Sequence, residues 1–99
     1  MKPSLQLDAA HQALLRQLLA RTLPGATVGV FGSRARGQAR PYSDVDLLIC
    51  KPPRLTWEQR VALADALEAS ELPFRVDIVE IDRVPAGMRA RMLSEMQPL

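Results

Sequence analysis

The chain has 99 residues, enough for one compact domain, and its 47% hydrophobic content supports a buried core that, at 4% aromatic residues, must be built from Leu, Val, Ile and Ala. Thirteen basic against eleven acidic side chains leave a net charge of +2, which excludes a strongly electrostatic, non-specific nucleic-acid binder and leaves nucleic acid open as a partner. A lone cysteine, Cys50, excludes an intrachain disulfide and a cysteine metal cluster; no apolar run approaches the roughly 18 residues of a membrane span, and MKPSLQLDAAHQALLRQLL lacks a signal-peptide pattern, so a cytoplasmic protein with no membrane partner is expected.

Asp8 is positioned to cap a first helix whose Leu14, Leu15, Leu18 and Leu19 recur at helical spacing, and Pro24-Gly25 closes it. The β-branched run ATVGVF predicts a strand ending at Gly32, and DVDLLIC, residues 44 to 50, predicts a second, stopped by Pro52-Pro53. Being apolar on both faces beyond Asp46, the second strand is expected to be central and covered on both sides. Thr56 and Gln59 predict a capping box for a helix to about Ser70, with Trp57, Val61, Ala64 and Leu67 or Leu63 turned inward. FRVDIVEI after Pro73 predicts a third buried strand, and a last helix is expected from about Pro85 to Met96. Helix, strand, strand, helix, strand, helix is an α/β order: one domain over residues 1–99, a mixed sheet of at least three strands flanked by helices.

Two features in this frame carry chemistry. Asp44 and Asp46 are two residues apart on a strand, so their side chains share one face, and Asp77 interrupts a neighbouring hydrophobic strand. If three carboxylates converge, each pair at about 4 Å and an effective dielectric near 20 costs on the order of 4 kcal/mol, which calls for protonation or bound cations. Hard oxygen donors with no His or Cys nearby favour two Mg²⁺ ions, with Mn²⁺ as a substitute. The alternative is that Asp44 ends a loop while Asp46 or Asp77 pairs with an arginine. Gly32-Ser33 follows a strand and precedes RARG, a pattern for a tight turn into a short helix; either its N–H groups and the Ser33 hydroxyl hold phosphate oxygens or it is an ordinary strand-to-helix turn, which a lone Gly-Ser pair would favour. Arg34 and Arg36 either contact those phosphates or form solvated surface.

Gly32, Ser33, Ala35, Arg36, Gly37, then Ser43, Asp44, Asp46 and Leu47 reproduce the G-S-x-A-R-G-x5-S-D-x-D-L signature, so the chain resembles the minimal nucleotidyltransferases of the DNA polymerase β-like superfamily. The resemblance implies the nucleotidyltransferase fold, nucleotide phosphates held at Gly32 and Ser33, and metals held by Asp44 and Asp46. It also implies that Asp77 completes the metal site and helps deprotonate the attacking hydroxyl. ATP is the implied substrate, and the implied partner is a HEPN-domain ribonuclease toxin that receives AMP on a tyrosine, with this chain as antitoxin. The C-terminal RARMLSEMQPL departs from the glycine-containing ending of many family members.

Size adds to this. A chain of 99 residues leaves little for gripping an acceptor, so the acceptor must supply its own docking surface, which favours a protein, unless a homodimer supplies the missing wall. Met88, Met92 and Met96 recur every four residues as a helix stripe for core or partner. Tyr42, beside the acids, either lines the nucleotide cleft or packs in its loop. The competing expectations are a non-catalytic antitoxin that neutralises by binding, and a nucleotidyltransferase subunit acting on RNA ends or a small molecule.

Overall fold

A computed structural model describes residues 5–99. Helix α1 spans Ala9–Thr22, strand β1 Thr27–Phe31, strand β2 Val45–Lys51, helix α2 Trp57–Glu68 and strand β3 Val76–Glu80; a 3-10 turn at Ile81–Arg83 leads to helix α3, Ala86–Glu95, and strand β4, Gln97–Pro98. The sheet order is β3-β2-β1-β4, with β1 antiparallel to β2 and β4, and β2 parallel to β3. The α/β class and mixed sheet follow the expected order. The two-residue β4 is additional, too short to leave a periodic signal.

Strand β2 is interior, and Val45, Leu47, Leu48 and Ile49 are fully buried, as its two-faced apolar sequence predicts. Its faces have different roles. Val45, Leu47 and Ile49 meet α1 and α2 through Leu15, Leu19 and Leu63. Asp46, Leu48 and Cys50 face the other way, towards α3: a Cβ on Gly29, which pairs with Leu48, would collide with the Met96 side chain, and the Cys50 thiol lies 3.9 Å from the Met96 sulfur. Gly29 is therefore the close-approach point that lets the end of α3 lie on the sheet.

The capping box at α2 forms as predicted: Thr56 Oγ1 accepts from the Gln59 N–H, and Gln59 Oε1 accepts from the Thr56 N–H. The inward face of α2 differs from expectation. Trp57 is 72% exposed and Val61 and Ala64 also face solvent, whereas Leu63 is buried and Leu67 half-buried. The stripe of Leu63 and Leu67, four residues apart, meets the sheet, and Trp57 lies about one residue's rotation outside it. Strand β3 is half-buried except for Glu80, because it is an edge strand covered on one side only.

Glu80 ties β3 to the start of α2. Its carboxylate accepts from the Leu55 N–H at 3.0 Å and pairs with Arg60 at 2.6 Å and Arg83 at 3.4 Å. Burial alone would raise its pKa; the Leu55 hydrogen bond, Arg60 and Arg83 together outweigh that and hold it below the ordinary glutamate value. A carboxylate with a depressed folded pKa stabilises the fold above its unfolded pKa, near 4.5, and that contribution disappears as pH falls through the folded value. Glu80→Ala is expected to cost about 2 kcal/mol, discounted because both arginines are partly exposed, and to flatten the acid limb of a Tm-versus-pH curve.

Candidate active site

The glycine turn starts where β1 ends. Gly32 has φ of +78°, and the Ala35 and Arg36 N–H groups both donate to its carbonyl at 3.1 Å. The segment through Gly37 is a run of turns, not the short helix expected from RARG. A Cβ on Gly32 would lie 2.5 Å from Asp46 Oδ2. Glycine is thus required twice over, by backbone conformation and by the carboxylate packed against it. The turn and the acids form one site because Phe31, just before Gly32, pairs with Asp46 across β1 and β2.

Asp46 is directly opposite Asp77 in the parallel β2–β3 register, so two carboxylates from adjacent strands share the face turned towards α3. Burial, followed by the charges of Asp77 and Asp44, pushes the Asp46 pKa up, and Arg36 offsets this in part. Asp44 immediately precedes β2 and is exposed. Asp77 is salt-bridged to Arg75, with Nε to Oδ1 at 3.0 Å. Asp46 thus feels the charges of the other two acids, yet among the described residues no three such groups are gathered closely enough to form a ready-made metal cluster. Like charges repel, and Arg75 balances Asp77 instead. The donor set still suits a hard divalent cation: all oxygen, negative, with one member held at a cost that a cation would relieve.

The two motif arginines part company. Arg34 is 6% exposed and turned into the protein: Nε and Nη2 donate to the Ser43 carbonyl at 3.1 and 2.8 Å, Nη2 also to Pro41 at 3.2 Å, and Nη1 to Gln6 at 2.7 Å. Its guanidinium lies 4.7 Å from the Phe74 ring centroid. The expectation that Arg34 contacts phosphate is therefore corrected: its planar fork matches three main-chain carbonyls and fixes the loop that delivers Ser43 and Asp44 to β2. Arg34→Lys is expected to lose about 1.5–3 kcal/mol, read as a lower Tm, because an ammonium cannot span that set. An unchanged Tm with a raised KM for nucleotide would instead place it at the phosphates.

Arg36 is exposed and remains at the site, pairing with Glu95 of α3 at 3.7 Å. Ser33 is half-buried at the second position of the turn. Tyr42 is 79% exposed and does not line the cleft described next. Between turn and helix lies a cleft of about 360 Å³, bounded by Phe31, Gly32 and Arg36 on one side and Met88, Arg91 and Met92 on the other. The spacing of Met88 and Met92 marks a stripe, but only the fold reveals that it faces the glycine turn.

Residues 15–99 match the family profile described as Polymerase beta, Nucleotidyltransferase. The chain belongs to the polymerase β nucleotidyltransferase family. It is 37% identical over 76 residues to the probable protein adenylyltransferase MntA of Haemophilus influenzae, covering 77% of this chain and 67% of that protein. It is 36% identical over 69 residues to the protein adenylyltransferase MntA of Thermococcus cleftensis, covering 70% and 69%. A solved structure described as a minimal nucleotidyltransferase superposes with a TM-score of 0.62 at 37% identity, over 91% of this chain and 90% of that one. The nucleotidyltransferase motif lies within the matched residues, and the enzyme class follows from the family: transfer of a nucleotidyl group from a nucleotide substrate. Among its described residues no helix is long and apolar enough to cross a membrane.

Proposed function

We propose that this nucleotidyltransferase moves AMP from ATP to a tyrosine hydroxyl of a HEPN ribonuclease toxin and acts as that toxin's antitoxin. The observation that carries the transfer chemistry is the pairing of Asp46 with Asp77 across β2 and β3, beside a glycine turn that opens into a cleft. The names of the two curated relatives, both protein adenylyltransferases, support AMP as the group and a protein as the acceptor. The HEPN toxin and its tyrosine come from the family resemblance of the motif.

In this reading Gly32, Ser33 and Arg36 bind the triphosphate and orient it. The acceptor oxygen bonds to the α-phosphorus, the bond from that phosphorus to the bridging oxygen breaks, and pyrophosphate leaves. Asp77 takes the hydroxyl proton, which requires the exposed Arg75 to release the carboxylate oxygen it pairs with at 3.0 Å. Asp44, Asp46 and Asp77 would hold Mg²⁺, which supplies charge neutralisation at the phosphates when bound.

The test is incubation of the chain and a cognate HEPN protein with α-labelled ATP. Label is expected on the partner with Mg²⁺, lost with EDTA, and lost with Asp77→Asn at unchanged circular dichroism. Transfer at the wild-type rate by Asp77→Asn would overturn the role of that residue. Neutralisation that survives Asp44→Asn with Asp46→Asn would favour an antitoxin that works by binding alone.

A further inference from the structure

β3 is the edge of the sheet and also carries Asp77. The Val45 N–H donates to the Arg75 carbonyl at 2.9 Å, and Val45 pairs with Val76, which fixes the parity of the ladder: residues 75 and 77 direct their main-chain groups to β2. Val76 and Ile78 direct theirs away from the sheet. Their side chains, on the helix face, line a groove of about 520 Å³ between β3 and α2, together with Ala64, Leu67, Leu72 and Phe74. A groove with an apolar floor, also bordered by Glu68, Ser70 and Arg75, alongside unpaired N–H and C=O groups suits an extended peptide better than a compact apolar ligand, because only a strand satisfies that edge.

Resting on the proposed protein-acceptor chemistry, we infer that the acceptor segment docks as an added strand on β3, with apolar side chains in the α2–β3 groove and the reacting hydroxyl on the opposite face beside Asp77. Strand alternation requires this split. Peptide residues opposite Val76 and Ile78 share their groove face, and the residue between them, opposite Asp77, shares the face of the acids, with Cβ atoms about 4.5–5.5 Å apart. The preferred acceptor is therefore a hydroxyl residue with an apolar neighbour on each side. The step is the one described above: the hydroxyl oxygen gains the α-phosphorus, pyrophosphate leaves and Asp77 takes the proton.

The probe is the pentapeptide acetyl-Thr-Leu-Tyr-Leu-Thr-amide, compared with the same peptide N-methylated at its three central residues, using the full chain, ATP and Mg²⁺. Two lost main-chain hydrogen bonds predict labelling of the parent about tenfold or more faster than of the methylated peptide. Ala64→Arg, which fills the groove from an exposed helix position, is expected to abolish this preference while pyrophosphate release with tyrosinamide as acceptor stays unchanged. Independently of transfer, the parent peptide is expected to slow hydrogen exchange at the Val76 and Ile78 amides. Protection without labelling would uphold the docking strand and sink the transfer reading. Equal labelling of both peptides, with no protection and no effect of Ala64→Arg, would overturn the docking strand and leave transfer standing.

Discussion

Asp46→Asn is expected to lower nucleotidyl transfer at least about a hundred-fold and, at the same time, to raise the melting temperature of the ligand-free protein at neutral pH. The two effects have one source. Burial, Asp77 and Asp44 all disfavour the Asp46 anion, so its pKa is raised in the folded chain. A carboxyl with a raised folded pKa costs stability where it is ionised, and that cost is relieved as pH falls towards its unfolded value. The neutral amide removes the cost at any pH. The group is partly exposed and screened, so the gain is set at a few degrees. Mg²⁺ should raise Tm in the wild type and have little effect on Asp46→Asn, a calorimetric reading that needs no acceptor. A fall in Tm on Asp46→Asn would mean that the carboxylate supports the fold.

Gly32→Ala carries the second large effect. A non-glycine residue in the left-handed region costs about 1–2 kcal/mol, and the new methyl must also displace Asp46 Oδ2, 2.5 Å away. A Tm lower by roughly 4–16 °C is expected for a domain of this size, with transfer reduced to the level of Asp46→Asn. Pairing it with Asp46→Ala separates the contributions: the collision vanishes while the backbone strain remains, so the double variant should be more stable than the sum of the single effects. Strict additivity would show that the carboxylate yields without resistance.

Much of this architecture is legible in the sequence because the signals are local. The capping box at Thr56 and Gln59, the closure of α1 at Pro24-Gly25 and the two-faced apolar run of β2 each depend on neighbours in the chain. The glycine turn and the paired acids are likewise local, and Asp77 stands out as a charge in an apolar strand. What escaped depends on partners remote in sequence. Arg34 and Arg36 are chemically identical and two residues apart; only the carbonyls of Gln6, Pro41 and Ser43 decide that one is interior and the other faces the cleft. Trp57 looks like a core residue by size, yet the Leu63–Leu67 stripe claims the buried face of α2. The contact of Gly32 with Asp46 depends on β-sheet register, which spacing alone cannot supply.

The open edge of β3 has a consequence for the protein in concentrated solution. Two copies that met edge to edge in antiparallel fashion, centred on residue 77, would set Asp77 against Asp77, and like charges directly opposite one another disfavour such pairing. That one register of self-pairing is disfavoured, while a centre on Val76 would set Asp77 against Arg75, and a foreign segment without an acid at that position meets no repulsion from Asp77. The charge that the proposed mechanism uses to take a proton would then also select the register in which this edge can pair with a copy of itself.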